Sequence, residues 1–350
     1  MAIRIATFNC ENLFSRAKIL NLTDNAQELA AATAALKAVE QLKTVLRKAT
    51  FTAADKTKIK NLLAAGKGFF TFEEDRGKLM SGNTVVASGA GDFFGHIRFN
   101  KRDVSEVATR NTGKVIKALN VDVLCTVEVE NRELLGDFNS QVLGTQKFKH
   151  HMVIDGNDSR GIDVGLLSKL EMRNIRSHVD DMDGTSRTFS RDCPEFEVLL
   201  ADGRSLWILC NHFKSKGFGT TASNDARRKK QAARVAAILN QNFDLANDLV
   251  IVAGDLNDTP GSDPLSPLFS VPNLSNIVDT LPQADRFTHI FGNQKSQLDY
   301  LVVSKPLRQA MTSVVVERRG MFKVPGHFNT ITKESEAASD HAAVVAEFAL

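Results

Sequence analysis

The chain has 350 residues, of which 43% are hydrophobic and 24% are charged, and its formal net charge is +3. These values are ordinary for a globular protein with a sizeable core, so they exclude a disordered or fibrous chain. The mild charge neither requires nor excludes a polyanionic partner, and without an apolar run long enough to cross a bilayer or a secretory leader we expect no membrane insertion.

The first predicted element is a buried strand at residues 3–8, which ends next to Asn9 and Glu11. Residues 24–48 are rich in Ala, Leu, Glu, Gln and Lys with apolar residues three and four apart, which predicts a helix. A second helix is predicted to begin at Thr52, whose spacing to Asp55 fits a capping box.

This second helix is predicted to end near Gly66, and the Gly- and Ser-rich residues 82–95 predict a loop or hairpin. We interpret residues 18–98 as a mostly helical insertion after the first strand, within a single domain that spans residues 1–350. A lid or partner-binding arm and a segment that simply packs on the core are both consistent with this pattern.

Beyond the insertion, alternating helical and strand patterns predict an α/β (α+β) protein. A helix is predicted at 104–119, another at 226–239, and a surface loop at 318–339. Strands are predicted at 121–127, 163–167, 196–200, 206–210, 249–253, 300–303 and 342–348.

Polar residues stand at one end of six of these strands. Four strands end at polar residues, which are Asn9, Glu128, His212, and Asp255 with Asn257. Two strands begin at polar residues, which are Asp299, and Asp340 with His341. Such groups are costly to bury unless they are paired or bind a cation, so we expect them to meet at one site. The last two strands must then run antiparallel to the first four, which predicts a mixed-sheet sandwich with a cleft along one rim.

The chemistry of these residues favours a metal-dependent reaction of water. Asn9, Glu11 and Glu128 are oxygen donors of the kind that magnesium prefers, although each residue type is also common in turns and on surfaces. Asp255 and Asn257 point the same way because strand side chains alternate with period two, and a turn in which both satisfy the backbone is the alternative.

Asp299 is available to orient the imidazole of His341 through its ring N–H. No GxSxG motif and no Ser or Cys next to a base is found, which favours direct attack by water over a covalent intermediate.

Several cationic residues are candidates for binding phosphate groups. His212 is followed by Lys214 and Lys216, a pattern that suits an anion better than a core histidine does. Arg160 could make a bidentate phosphate contact, with a surface salt bridge as the alternative. The run 227–230, which includes Arg228, either tracks a nucleic-acid backbone or coats a solvated helix face.

Five other histidines match no such pattern and are interpreted as incidental: His150, His151, His178, His289 and His327. The four cysteines lie in or next to strand-like runs without CxxC spacing, which predicts reduced, partly buried thiols and a cytoplasmic location.

Six segments together resemble the ordered motifs of the endonuclease/exonuclease/phosphatase superfamily, the DNase I-like fold. They are TFNCENLF at 7–14, VEVEN at 127–131, NHFKSK at 211–216, GDLND at 254–258, QLDY at 297–300 and SDH at 339–341. The resemblance covers residues 1–15 and about 100–350. It implies a four-layer sandwich of two packed mixed β-sheets flanked by helices, and hydrolysis of phosphate esters that depends on Mg²⁺, with Mn²⁺ as an alternative ion.

The resemblance also implies a role for each matching residue. Asn9 and Glu128 would hold the principal metal ion, with Asp340 beside it. The catalytic roles would fall as follows: Asp255 and Asn257 position or activate the attacking water, Asp299 and His341 form a carboxylate–imidazole pair, and His212 stabilises the phosphate. Asp255 and His341 are assigned jointly as the base.

One departure narrows the expected substrate. Abasic-site endonucleases of this superfamily have a tyrosine where His212 stands, and the single tyrosine here is Tyr300. The chain therefore resembles the histidine-bearing branches, which include deoxyribonucleases, sphingomyelinases and phosphatases.

Our hypothesis is a metal-dependent phosphodiesterase, in the first place a nuclease with nucleic acid as its substrate. One alternative is a phosphomonoesterase or a phospholipid or sphingomyelin phosphodiesterase of the same superfamily. Another is a catalytically silent nucleic-acid-binding protein, which would have no need of the full set of metal and base candidates.

Overall fold

The computed structural model describes residues 2–11, 17–20, 26–101, 105–158, 160–217 and 219–350. Its contacts divide the chain into two compact units. The core unit comprises Met1–Phe14 and Val104–Leu350, and the inserted unit is Ser15–Asp103. The predicted insertion at 18–98 falls inside the inserted unit.

Twenty strands are found in the described residues. In chain order they are β1 (Ala2–Asn9), β2 (Phe70–Gly77), β3 (Met80–Ser81), β4 (Thr84–Val85), β5 (Phe93–Phe99), β6 (Val123–Val129), β7 (His150–Ile154), β8 (Asp163–Ser168), β9 (Met172–Arg176), β10 (Met182–Asp183), β11 (Ser186–Arg187), β12 (Glu195–Leu199), β13 (Ser205–His212), β14 (Leu249–Asp255), β15 (Leu274–Asn276), β16 (His289–Phe291), β17 (Gln294–Ser296), β18 (Asp299–Ser304), β19 (Met311–Glu317) and β20 (Ala343–Ala349).

Seven α-helices are found in the same residues: α1 (Ala26–Val45), α2 (Ala53–Ala65), α3 (Glu106–Leu119), α4 (Arg132–Phe138), α5 (Thr221–Asn242), α6 (Ser266–Phe269) and α7 (Lys305–Ala310). The predicted helix starts at residues 24 and 104 lie outside the described residues. Short 3-10 turns and one π-helical turn, Asn139–Leu143, connect several of these elements.

The core unit contains two six-stranded mixed sheets. The first has the order β19-β20-β1-β6-β8-β7 and the second the order β15-β18-β14-β13-β12-β9. In the first sheet, β1 pairs parallel with β6 and antiparallel with β20. In the second, β13 pairs parallel with β14, which pairs antiparallel with β18. The predicted reversal of the last two polar-tipped strands is therefore confirmed.

The two sheets pack face to face through their apolar inner surfaces. Ile5 and Cys125 of the first sheet share one buried cluster with Ile208, Ile251 and Leu301 of the second. Removing a side chain such as Ile or Leu from water contributes roughly 1.5–3 kcal/mol, so this interface is a major source of stability.

Helices cover the outer faces of both sheets. Ile116 of α3 packs with Phe8 and Leu124 on the first sheet, and Val235 and Leu239 of α5 pack on the second. The predicted four-layer α/β sandwich is therefore confirmed. Because both of its faces are covered, β14 is buried along its whole length, which explains its uninterrupted apolar sequence up to Ala253.

The inserted unit has its own buried cluster, which includes Val39, Leu42, Ile59 and Phe70. Helix α2 begins at the predicted capping box, in which Thr52 Oγ1 accepts a hydrogen bond from the Asp55 N–H at 3.1 Å. The helix ends at Gly66, as the sequence predicts.

The second half of the inserted unit is not helical. Strands β2 and β5 form an antiparallel pair, and β3 and β4 form another, so the prediction of a mostly helical insertion misses a substantial β component. The sequence signal is the alternation of polar His96 and Arg98 with apolar Ile97 and Phe99, and in the structure Phe94, His96 and Arg98 are exposed while the residues between them are more buried. A strand with one covered face produces this pattern.

Two simpler expectations concern the cysteines and the membrane. All four cysteines are free and buried, as predicted. Among the described residues, no helix combines the length and the apolar character needed to span a bilayer.

Asp163, the first residue of β8, provides a test of buried charge. Its Oδ1 accepts a hydrogen bond from the Gly156 N–H at 2.9 Å, whereas its Oδ2 has no hydrogen-bond partner among the described residues. Burial raises the pKa of Asp163 to about 8. In the unfolded chain an Asp carboxyl titrates near pH 4, so the folded state binds the Asp163 proton more tightly. This proton binding contributes to the free energy of unfolding below about pH 4, and the contribution is lost as the pH rises from about 4 to 8.

We expect Asp163→Asn to remove this pH dependence, because the amide mimics the protonated carboxyl. As the pH rises from 5 to 8, the free energy of unfolding of the variant should increase relative to that of the wild type by up to about 1.4 kcal/mol per pH unit. Urea denaturation at several pH values measures this difference, with the exposed Asp285→Asn as control. Parallel pH profiles for wild type and Asp163→Asn would contradict the assignment.

Candidate active site

The polar ends of six strands meet at one rim of the sandwich. Strand pairing aligns them: Asn9 lies opposite Val127, the residue before Glu128, while His212 lies opposite Asp255 and Asp255 opposite Asp299. Within each sheet, strand register thus aligns the polar residues at this rim.

Asp255 is the centre of the cluster and is 1% exposed. Its Oδ2 accepts a hydrogen bond from Asn9 Nδ2 at 3.1 Å and lies 3.7 Å from His212 Nε2 and 3.9 Å from His341 Nε2. Its Oδ1 accepts a hydrogen bond from the Asn257 N–H at 2.8 Å. One carboxylate therefore connects residues from both sheets.

The electrostatic environment of Asp255 suits proton exchange. Burial raises the pKa of Asp255 to about 7, the positive charge of His341 opposes this rise, and the neighbouring Asp299 adds to it. A carboxyl group that titrates near neutral pH is well matched to general acid–base work.

Asp299 and His341 form a buried ion pair in which His341 Nδ1 donates to Asp299 Oδ2 at 2.7 Å. The His341 backbone N–H donates to Ser339 Oγ at 2.9 Å. Burial alone would lower the pKa of His341, but the carboxylates of Asp299 and Asp340 raise it well above its ordinary value. The ring is therefore fixed in orientation and favours the imidazolium form.

Two of the site residues, Glu128 and Asn257, have left-handed backbone conformations that direct their side chains. Glu128 has φ +61° and lies at an irregularity in the β6–β8 register, between Val127 and Val129. Asn257 has φ +54°. Left-handed backbone at such residues costs on the order of 1 kcal/mol and clusters at functional sites, where it directs a side chain that a regular strand would turn away.

Gly254 lets β13 and β14 approach closely at the site. A Cβ at this position would lie 1.9 Å from the carbonyl oxygen of Asn211, and its φ is +134°. Only glycine fits here without displacing the backbone, and this proximity keeps His212 near Asp255.

The donor atoms at the rim fit a hard divalent cation. Asn9 Oδ1 is buried and has no hydrogen-bond partner among the described residues, and it stands in the strand next to Glu128. Glu11 Oε2 accepts a hydrogen bond from the Asp340 N–H at 3.0 Å, which places the Glu11 carboxylate beside the main chain of Asp340. An unpartnered amide oxygen beside carboxylates is the donor set that magnesium prefers.

Residues 104–341 match the sequence model of a family described as the Endonuclease/Exonuclease/phosphatase family. The chain belongs to this family. The predicted resemblance is confirmed, and it places the protein among the metal-dependent hydrolases of phosphate esters.

Solved structures with a similar fold include three from different organisms. D. rerio TDP2 in complex with a single-strand DNA product is 15% identical with a TM-score of 0.51, covering 71% of this chain and 94% of that chain. An AP endonuclease from Archaeoglobus fulgidus is 15% identical with a TM-score of 0.50, covering 68% and 93%.

The third, the human nocturnin catalytic domain with a bound sulfate anion, is 16% identical with a TM-score of 0.51, covering 71% and 88%. At these identities the likeness shows the fold alone. No curated protein sequence matches the chain.

Three cationic residues predicted to bind phosphate have different surroundings in this family member. Lys214 is half-buried, and burial, together with the positive charges of the neighbouring Arg160 and Arg191, lowers its pKa to about 8. Lys216 is exposed and lies 3.2 Å from Asp258 Oδ1.

Arg160 donates through Nε and Nη2 to the two carboxylate oxygens of Asp158 at 2.7 and 2.5 Å. The salt bridge considered as the alternative for Arg160 is therefore present.

The prediction that Arg228 contacts phosphate is wrong. It is fully buried, donating from Nε to Asp258 Oδ2 and from Nη1 to the Lys214 carbonyl oxygen, each at 3.0 Å. The reason is helical phase: Arg228 lies on the same face of α5 as Ala232 and Val235, which pack on the sheet. It buttresses the loop that carries Lys214.

His289 was interpreted as incidental, yet it lies in the wall of the site. Its ring centroid is 4.6 Å from that of His341, and its Nε2 is 3.5 Å from Asp340 Oδ2. The two histidines are also joined by a backbone bridge. The local sequence of His289 contains no signal for this contact, because it depends on how the hairpin of β16 and β17 folds onto a distant segment.

We expect Asp299→Asn to lower the pKa of His341, because the substitution removes the carboxylate that stabilises the imidazolium while keeping the shape of the side chain. NMR titration of the histidine ring protons measures this pKa, and the exposed Asp279→Asn is the control. An unchanged His341 titration in a folded Asp299→Asn variant would show that the ion pair does not govern the ring.

Proposed function

We propose that this protein is a phosphodiesterase dependent on Mg²⁺, or on Mn²⁺ in its place, that hydrolyses nucleic acid by in-line attack of water. The single observation that carries the proposal is the convergence of Asn9, His212 and His341 on one buried oxygen of Asp255, at 3.1–3.9 Å. Membership of a phosphoesterase family and an oxygen donor set beside this group support it.

Asn9 and Glu128 would hold the metal ion, with Asp340 beside it. The ion would polarise a phosphoryl oxygen and stabilise the leaving oxygen. Glu128 Oε1 lies 3.9 Å from His212 Nε2, so the metal ligand and the predicted phosphate-binding imidazole border the same space.

Within this site, Asp255 and His341 take different roles. The near-neutral pKa of Asp255 suits acceptance of a proton from water, whereas the raised pKa of His341 keeps its ring charged. We therefore assign Asp255 as the base and the His341 imidazolium as a partner for the negatively charged phosphoryl oxygens. Asn257, hydrogen-bonded to Asp255, orients the water, and Asp299 keeps His341 in place.

The distribution of charge favours a nucleic acid over a small phosphoester. The inserted unit contains 15 Lys or Arg against nine Asp or Glu, whereas the rest of the chain contains 29 against 32. The excess positive charge of the protein therefore resides in the inserted unit.

Acidic side chains of the inserted unit are engaged by neighbours within it. Examples are Glu40 with Lys43, Asp55 with Lys48, Glu73 with Arg98 and Asp75 with His96. Lys58, Lys60 and Lys67 are exposed and have no ion-pair partner among the described residues. Such unpaired lysines release counterions on binding a phosphate backbone, which strengthens the binding of a polyanion.

The central experiment incubates the purified chain, with Mg²⁺ or with EDTA, against plasmid DNA, single-stranded DNA, RNA, inositol phosphates and sphingomyelin. We expect cleavage of nucleic acid that disappears with the chelator, because the oxygen donors require a cation to bind the phosphoryl group. Cleavage confined to monoesters or to sphingomyelin would replace the proposed substrate, and binding without any cleavage would indicate a silent nucleic-acid-binding protein.

We expect Asp255→Asn to lower the turnover number at least ~100-fold, because it removes the proposed base while keeping the size of the side chain. Asp202→Asn is a matched control, since Asp202 lies exposed in the turn that precedes β13, at the opposite end of that strand from His212. Near-normal turnover in a folded Asp255→Asn variant would refute the assignment.

We expect the triple variant Lys58→Gln, Lys60→Gln and Lys67→Gln to weaken binding of nucleic acid and to reduce the slope of log affinity against log salt by up to about 2.7 units for duplex DNA. Hydrolysis of a small chromogenic phosphodiester should not change. The control variant carries the same charge change at three exposed lysines of the core unit, Lys147, Lys305 and Lys333. An equal effect of both variants would show that the inserted unit has no special role in binding.

A further inference from the structure

Two histidines at the rim, His289 and His341, form a cluster with Asp340, the residue that is also proposed to lie beside the magnesium ligands Asn9 and Glu128. Asp340 Oδ2 lies 3.5 Å from His289 Nε2, and Asp340 Oδ1 lies 3.8 Å from His341 Nε2. One ligand atom from each of the three residues falls within 4.8 Å of the other two. Two imidazole nitrogens and a carboxylate thus face a common point.

These separations approach those of a zinc site. With Zn–N bonds of about 2.0–2.1 Å and Zn–O bonds of about 2.0–2.2 Å, donors in a tetrahedral site lie roughly 3.3–3.5 Å apart. The two separations from Asp340, 3.5 and 3.8 Å, are close to this range, and the remaining separation is at most 4.8 Å. Imidazole nitrogens favour zinc and related transition metals, whereas magnesium prefers oxygen ligands.

The surroundings of the cluster hold its members in position. His341 Nδ1 donates to Asp299, so its Nε2 is the nitrogen that faces Asp340, as in metal sites where a carboxylate orients a histidine ligand. His289 is fixed beside it by the backbone bridge and by a hydrogen bond of 2.7 Å from the Ala342 N–H to the Thr288 carbonyl oxygen.

Asp340 gives the cluster access to solvent, because its side chain is 49% exposed. Its backbone N–H donates to Glu11, which holds the main chain in place. A metal ion could therefore enter from solvent, and three protein ligands would leave a fourth position for water.

We propose that His289, Asp340 and His341 bind a zinc-type transition-metal ion, which displaces the Nε2 proton of His341 to solvent, and that this ion inhibits hydrolysis by occupying His341 Nε2. The binding part of the proposal is independent of the reaction. The inhibitory part rests on the proposed function, in which His341 partners the phosphoryl oxygens.

Binding is tested without substrate by titrating the purified chain with Co²⁺, which reports low coordination number by its visible absorption, and then displacing it with Zn²⁺. We expect one site of this kind. His289→Gln should weaken Co²⁺ and Zn²⁺ binding at least ~100-fold, since loss of a direct ligand exceeds the 10- to 100-fold effect of an outer residue.

His327→Gln is the control, because His327 stacks on Phe322 and hydrogen-bonds the Phe328 carbonyl oxygen instead of facing Asp340. Thermal melting and circular dichroism establish that each variant is folded, and Asp340→Asn serves as a second variant that should also lose the Co²⁺ spectrum. Equal Zn²⁺ affinity in the wild type and in a folded His289→Gln variant would overturn the proposal.

Inhibition is then measured in the presence of Mg²⁺. We expect Zn²⁺ to inhibit the wild type, and the concentration for half inhibition to rise by the same ~100-fold in His289→Gln. A wild type that binds Zn²⁺ at this cluster but cleaves no phosphoester would overturn the proposed function and leave the metal site standing. Cleavage that Zn²⁺ inhibits equally in both proteins would overturn the inhibitory role of this site.

Discussion

The hydrogen bond between Asn9 and Asp255 connects the ends of two different sheets, and the arrangement of the site depends on it. Asn9 ends β1 in one sheet and Asp255 ends β14 in the other. A carboxyl group buried this deeply needs polar partners, and here they come from both sheets. The same requirement brings His212 and His341 within 4 Å of the group.

The fold meets this requirement through strand direction and local strain. Parallel pairing of β1 with β6 and of β13 with β14 aligns the carboxyl ends of four strands, and antiparallel β18 and β20 begin at the same edge. Left-handed backbone at Glu128 and Asn257 then turns their side chains toward the cleft. The apolar cluster between the sheets supplies the stability that tolerates this strain, since each strained residue costs on the order of 1 kcal/mol.

The two compact units divide the chemistry of the protein between them. The core unit contains the residues proposed to bind metal and to act as acid and base, while the excess positive charge belongs to the inserted unit. This division agrees with a nuclease in which one surface performs hydrolysis and another adds affinity for the phosphate backbone. At the rim itself, Asp340 belongs both to the proposed magnesium site, which is made of oxygen donors, and to the proposed zinc-type site, which adds two imidazoles.

The sequence by itself determined the sandwich, the reversal of the last two strands and the residues that meet at the rim. Each of these follows from local patterns: apolar runs of strand length and polar residues at one end of each run. It left open whether Arg160 binds phosphate or forms a salt bridge, and it did not reveal the burial of Arg228, the strands β2 and β5, or the contact between His289 and His341. Those features were decided by the tertiary structure, because helical phase against a sheet and contacts between distant segments arise only when the chain packs.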